Sequence, residues 1–514
     1  MKIGRLGYLV LLMYLIFLWG GPYSVYNPLL FTVHIFHHIV MTLFLGGWVI
    51  RRLQRGEGIP QSPLNLPLYA MLGVWALSAA TSQDPRMSFE NLWLGIVHLL
   101  LFWFFVAQVQ KSEQRSTFEF LFIIGLIIAL SSFAEVASWL FGMGWVPGTN
   151  IAWTVTGMLP NASTLHRPQM MMGSTNLVAA FSASLAILTL GWAWTTKARD
   201  YRIVLTVVSG LLALIVFLTF SRGGWLSLGI GLALLAGFWA RRSPAVTQRI
   251  HPRLIAAGMI ASVTVLLGLV LLFTYLTDTG RRDMWRSAVE ITADYPATGI
   301  GLGMYGRMLR DYRDSGIERE HLGAHNLVLN HTSETGLIGL AVLAWVFVSF
   351  GRATWQNWKS SRNPGHRRRI EICLAALVGM GFHSMGEVFY FATSSAVLGM
   401  ILAAYCMTPL PAHRLEPRPA GQRLPAWGFL VALAAYSVFL FASDLAQSSF
   451  MTGLRATDYD EAVAAMDEAI RLDPSMRLYA LQRAHFLALQ AMSDPARYDA
   501  AEIQLAATAL EESL

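Results

Sequence analysis

About thirteen runs of predominantly apolar residues recur along this 514-residue chain, each close to the twenty or so residues a helix needs to cross the ~30 Å hydrocarbon core of a bilayer. They begin near residues 5, 27, 67, 90, 117, 176, 201, 223, 252, 326, 370, 388 and 425. In hydrocarbon every backbone N–H and C=O must find its partner within the protein, so runs of this length resolve to helices. The fold expected is all-α, a polytopic transmembrane bundle of about 12–13 spans. With 55% hydrophobic and 13% charged residues, the chain does not have the composition of a soluble domain of this size.

The basic connectors set a direction. RRLQR (51–55), QKSEQR (110–115), TTKARDYR (195–202), ARRSPAVTQRIHPR (240–253), GRATWQNWKSSRNPGHRRR (351–369) and PAHRLEPRPAGQR (411–423) all fall on one side when the spans alternate, and that side is the cytoplasm. The net charge of +7 therefore reads as membrane topology and not as a nucleic-acid surface. The first run is followed by GGPYSVYNP, with no small-residue cleavage site, and reads as a retained helix. Cys373 and Cys406 sit in apolar stretches, which supports neither a disulfide framework nor a thiolate metal site.

Three segments on the outer face depart from the short connectors: 142–175, 277–325 and the tail from 444. Residues 1–443, including the large and partly helical loop 277–325, read as a transmembrane domain, and 444–514 as an extracytoplasmic tail. In the tail Tyr459, Ala462, Ala469, Leu472 and Pro474 fall at tetratricopeptide-like spacings, predicting a helical hairpin. A single repeat cannot bury a continuous core, so the hairpin must dock on the membrane domain, on a partner protein or on a second copy.

Candidate chemistry clusters at the outer ends of the spans. Arg222, in TFSRGGWLSL, occupies a short outer connector of a kind that normally avoids Arg. It is either snorkelling to lipid headgroups or held at the surface to meet an anion, with Gly223 and Gly224 letting backbone N–H groups approach that ligand. Arg281, Arg282 and Arg286 follow in TGRRDMWRSAVE, where Arg282 and Arg286 share a helix face at i, i+4. The three form a phosphate site or an ordinary solvated face. DYPATGIGLGMYG reads as a tight turn or re-entrant stretch, because the strand that a dinucleotide fold requires is missing before it.

HNLVLNHTSETGLIGL places His325, Asn326, His331 and Glu334 at the mouth of an apolar run. A neutral imidazole suits proton abstraction near neutral pH; the alternatives are a helix cap with an interfacial polar cluster, or a metal site, whose usual ligand spacing is not met. GFHSMGEVFYF adds His383 and Glu387 at the same face. His34, His37 and His38 lie inside a span and read as helix packing.

In this order SRGGWL, GRRDMW with YPATGIGLGMYG, and HNLVLNHTSETGLIGL resemble the O-antigen ligase and polymerase superfamily of bacterial membrane glycosyltransferases. HRPQMMMGSTNLVAAF is similar to the family's Arg-containing segment before an Asn-led helix, with Arg167 and Asn176 at the matching places and Thr175 where the family has Pro. The resemblance implies transfer of a glycan from a polyprenyl-diphosphate carrier to a hydroxyl of a lipid or protein acceptor, at the outer face of the bacterial cytoplasmic membrane. It implies no metal and no other cofactor. On this expectation Arg222 and Arg281 stabilise the leaving diphosphate and His325 is the base, while Arg282, Arg286, Arg167, Asn326, Glu334, His383 and Glu387 bind substrate. Membrane lipid is a further partner, and the tail offers a surface to a protein partner. A polymerase joining lipid-linked repeat units, or a protein O-oligosaccharyltransferase, would carry the same motifs. A transporter of lipid-linked glycan predicts repeated halves with polar groups at the membrane midplane, a pattern that polar residues clustered at one boundary do not fit.

Overall fold

The computed structural model describes residues 31–110, 114–141, 167–168, 174–313, 323–388, 393–408 and 423–493. Among the described residues every regular element is a helix. In chain order these are α1 (Phe31–Gln54), α2 (Asn65–Ala80), α3 (Pro85–Gln110), α4 (Gln114–Leu140), α5 (Thr175–Thr195), α6 (Arg199–Leu218), α7 (Arg222–Ala240) and α8 (Pro244–Thr247). There follow α9 (Pro252–Thr277), α10 (Thr279–Asp294), α11 (Tyr305–Tyr312), α12 (Leu327–Ser360), α13 (Pro364–His383), α14 (Thr393–Met407), α15 (Leu424–Arg455), α16 (Tyr459–Leu472) and α17 (Arg477–Ser493). Each apolar run from residue 27 onward coincides with one of these helices, and the run near residue 5 lies outside the described residues. Seven of them, α3 to α7, α12 and α15, are long and apolar enough to cross a membrane, and α2, α14 and the first part of α9 are shorter apolar helices. The described helices divide into two compact units, one within Pro60–Glu416 and one made of Tyr23–Ile59 with Pro417–Leu514.

In the larger unit α5 is buried along nearly its whole length and packs against α6, α7 and α13. Small residues at the crossings allow it. A side chain at Gly231 of α7 would meet Ile187 at 2.1 Å, and one at Gly379 of α13 would meet the Ser227 carbonyl at 2.5 Å. Without a hydrophobic drive between helices in lipid, such close backbone approach supplies the dispersion contact that holds them. It also fixes the start of α5, the start of α7 and the end of α13 at one end of the bundle.

A second device shapes the same region. Helix α12 is broken at Gly336, whose φ of 68° and ψ of −170° interrupt the ladder. The loop 295–304 closes on the break: Ile300 N and Gly301 N donate to the carbonyls of Ser333 and Glu334, both at 3.1 Å, and Leu337 N donates to the Pro296 carbonyl at 2.8 Å. Ser78 Oγ adds a 2.6 Å bond to the Glu334 carbonyl. Non-helical backbone is tolerated at membrane depth when its groups are satisfied in this way. The expected tight turn is thus a glycine loop seated in a broken helix, with Gly299, Gly301 and Gly303 all at positive φ. The run that begins at residue 326 is correspondingly two pieces, a polar opening helix and a longer apolar one after Gly336. The segment 277–325 is partly helical, and Met284, Ile291, Ile300, Met304, Tyr305 and Leu309 form a small core of its own.

In the smaller unit α15 packs on α1 and runs without interruption through residue 444, where the sequence reading begins the tail. Asp444 is buried, its Oδ2 lies 2.7 Å from His38 Nδ1, and the polar SDLAQSS stretch is part of the continuous helix. His38 is therefore tied to a carboxylate, beyond simple packing; the side chains of His34 and His37 lie outside the described ones. Helices α16 and α17 form a hairpin that docks on the last turns of α15, with Phe450 and Tyr479 ring centroids 5.2 Å apart. Gly453 leaves room there for Met466.

Candidate active site

The turn between α6 and α7 is only three residues long and bends through Phe220 at φ 50°. Ser221 caps α7, its Oγ accepting from Gly224 N at 3.2 Å. The same Oγ donates to Asn176 Oδ1 at 2.8 Å and lies 3.4 Å from His383 Nε2. Asn176 Nδ2 in turn donates to Glu387 Oε2 at 2.6 Å, and Glu387 Oε1 lies 2.6 Å from His325 Nδ1. A polar chain thus runs from His383 through Ser221, Asn176 and Glu387 to His325, crossing four separate segments.

Residues 325–329 and 383–388 are stitched together beside it. Asn326 caps α12, its Oδ1 accepting from Val328 N and Leu329 N at 3.0 and 3.1 Å, while its Nδ2 donates to the Met385 carbonyl at 3.0 Å. Leu327 N donates to the Ser384 carbonyl at 2.9 Å. These bonds hold His325 at φ 47°, a left-handed conformation that costs a side-chain-bearing residue of order 1 kcal/mol or more. Burial alone would raise the Glu387 carboxyl, but the His325 hydrogen bond and charge, Asn176 and Val388 N together bring it down to about 2. Glu387 is therefore held as an anion that orients the His325 ring through Nδ1.

Next to this chain lies a cavity of about 220 Å³, walled by Arg167, Arg222, Arg281, Asn176, Ser221 and His383, with Asp278 among the lining residues. Three guanidinium groups against one carboxylate leave an excess of positive charge. Arg281 Nε lies 3.7 Å from Asp278 Oδ2, and Asp278 also caps α10 through Arg281 N at 3.1 Å. Arg281 reaches past Gly386, where a side chain would come within 3.2 Å of its Nη1. Arg167 Nε donates to the Thr219 carbonyl at 2.7 Å, and burial pushes its guanidinium below the ordinary value.

Other expected site residues fall elsewhere. Arg286 is exposed and paired with Glu290 at 3.6 Å; Arg282, one residue and about 100° around the helix from Arg281, does not line the cavity. Glu334 and His331 are buried behind the α12 break, where the Glu334 carbonyl holds the glycine loop. Asn326 acts on backbone and Glu387 on His325. Gly223 and Gly224 serve packing: side chains there would strike His383 at 2.4 Å and Ala179 at 2.6 Å. Sequence reasoning missed Ser221 and Asp278 as lining residues, although both stand at N-cap positions before helical runs, a signal that could have found them.

No curated protein matches the chain. Residues 207–344 match the O-antigen ligase family, an interval that holds Arg222, Arg281, the glycine loop and His325. Arg167, Asn176 and His383 lie outside it and reach the cavity through the fold, and Glu387, also outside it, reaches His325. The match to the O-antigen ligase family thus falls on the middle of a multi-pass helical membrane protein.

Proposed function

We propose that the protein transfers a glycan from a polyprenyl-diphosphate carrier to an acceptor hydroxyl at the outer face of the cytoplasmic membrane. The observation that carries this reading is the convergence of Arg167, Arg222 and Arg281 on one cavity beside the His325–Glu387 pair. The basic connectors 195–202, 240–253 and 351–369 join the opposite ends of these helices, which by the charge rule puts the cavity on the outer side.

The acceptor oxygen attacks the anomeric carbon while the bond from that carbon to the diphosphate oxygen breaks. The acceptor proton passes to His325 Nε2, and the electron pair of the broken bond leaves on the polyprenyl diphosphate. Guanidinium forks at Arg222, Arg281 and Arg167 receive that charge as it forms, each contact contributing about 1.5–3 kcal/mol. Because the groups are fixed beforehand, little reorganisation is needed in the transition state. Apolar helix faces below the cavity accommodate the polyprenyl tail. The acceptor is a lipid or a protein, and a second lipid-linked glycan as acceptor would make the same site a polymerase.

The test is glycan transfer in membranes lacking an endogenous ligase and supplied with lipid-linked donor, comparing wild type with Arg222→Ala, Arg281→Ala and His325→Ala at matched expression. Loss of product with accumulation of donor in all three is the expected result. Full activity in the variants would remove the mechanism, and product mobility separates a single ligation from chain extension.

A further inference from the structure

Two cavities lie at the opposite ends of the helices that build the candidate site. One, of about 390 Å³, is walled by Trp194, Trp239, Phe238, Arg242, Arg368 and Glu371. The other, also of about 390 Å³, is walled by Phe118, Trp192, Tyr201, Arg368 and Arg369. Thr195, Arg368 and Ile372 belong to both, so the two are neighbours that share a wall. From Arg222 in the candidate site to Arg242 here, the rise of a helix gives about 30 Å, one hydrocarbon core.

The charges around these cavities are only partly compensated. Glu371 accepts from Trp358 Nε1 at 2.8 Å and lies 2.5 Å from Arg242 Nη2. Arg241 and Arg367 lie over the Trp358 ring at 5.7 and 5.6 Å. Arg368, which lines both cavities, is exposed and makes no ion pair with any described residue. Burial pushes the Arg242 guanidinium below its ordinary value; Glu371 opposes that shift, and Arg368 and Arg367 add to it. Around this positive centre Trp194, Trp239 and Tyr201 are exposed at the ends of apolar helices, where indole and phenol rings mark the level of lipid headgroups. A soluble anion would use the arginines and leave the aromatic walls idle. A phospholipid uses both.

We propose that the paired cavities bind the headgroup of an anionic phospholipid in the leaflet opposite the candidate site, its phosphate held by Arg242, Arg368 and Arg369 and its chains laid against the aromatic walls. Basic pockets between transmembrane helices are suited to such headgroups, and planar guanidinium forks bind phosphate oxygens in pairs. Two adjoining cavities with a common arginine also suit a lipid carrying two phosphates.

The full-length protein is purified in detergent and exposed to phosphatidylglycerol, cardiolipin or phosphatidylcholine, with retained lipid counted by native mass spectrometry and thermal stability followed in parallel. Anionic lipid is expected to be retained and stabilising, phosphatidylcholine neither. Arg368→Gln with Arg369→Gln, both at exposed positions, should weaken retention at least about tenfold while the thermal stability of the lipid-free protein stays near wild type. Arg249→Gln with Arg253→Gln, which removes equal charge from the same face, should leave retention unchanged. Equal loss in both double variants, or none in the first, overturns the site. Inorganic phosphate or pyrophosphate alone reproducing the stabilisation and displacing the lipid overturns the lipid as its occupant.

Discussion

Replacing Glu387 by Gln tests the link between stability and chemistry at the candidate site. A carboxyl brought from 4.5 to about 2 in the folded protein carries roughly 3 kcal/mol of stability in its charged form at neutral pH. Because the folded value lies below the unfolded one, that stability is fully present above about 4.5 and is lost as pH falls toward 2. At about pH 3 less than half of it remains. Wild type should therefore exceed Glu387→Gln in thermal stability by an amount that is constant from neutral pH down to about 5 and then narrows. Glycan transfer at neutral pH should also fall, by about 10²-fold or more, because the His325 ring loses the anion that orients it. Unfolding of both proteins in detergent across this range, with transfer measured at matched expression, reads both effects. A stability gap that stays constant down to pH 3 would mean that Glu387 is not held as an anion by its three partners. A gap that narrows as described while transfer stays at the wild-type rate would leave the pair purely structural.

Arg286→Ala, at an exposed position that does not line the cavity, should retain transfer within about twofold, whereas Arg167→Ala should lose about tenfold or more, measured in the same membrane assay. His325→Asn should fold as well as wild type, because Asn tolerates the left-handed backbone, yet lose transfer; His325→Val should lose both, as thermal unfolding and yield will show. Gly336→Ala places a methyl 2.2 Å from the Ala297 carbonyl at a φ of 68° and should destabilise the glycine loop by several kcal/mol, read as lost thermal stability. Asp444→Ala should lower the stability of the smaller unit by removing the partner of His38, with a drop in unfolding temperature as the measure.

The helices were legible because a twenty-residue apolar run has few alternatives in a membrane, and Arg222 and Arg281 because a fixed cation at the end of such a run is unusual. What stayed hidden was set by contacts distant in sequence. His325 and Glu387 are 62 residues apart, and nothing local to either predicts a 2.6 Å pair. Helical periodicity placed Arg282 and Arg286 on one face correctly, but which face of α10 meets the cavity depends on how the small core of Met284, Ile291 and Tyr305 seats it. The polar residues of HNLVLNHTSETG looked like one cavity lining, but His331 and Glu334 are buried on α12 and do not line the cavity, with the Glu334 carbonyl tied to the glycine loop. The same limit applies to the tail: the sequence reading starts it at 444, but α15 continues to Arg455, with Asp444 buried against His38, 406 residues away in sequence.

The two non-glycine residues at positive φ among those described, Phe220 and His325, both stand at the candidate site, one immediately before the Ser221–Arg222 cap and one at the proposed base. Such conformations persist only where surrounding bonds over-determine them. At His325 those bonds run through Asn326 to Met385 and through Glu387 to Asn176, so they come from segments that family similarity does not cover. At Phe220 the Ser221 cap ties the turn to Asn176 as well. Among the bonds described, Asn176 links the arginine turn to the carboxylate that holds His325. An amide that donates to Glu387 and accepts from Ser221 sets the spacing between the proposed base and the arginine turn proposed to receive the leaving charge. A reaction that breaks one bond while forming another needs that spacing more than it needs either group's strength.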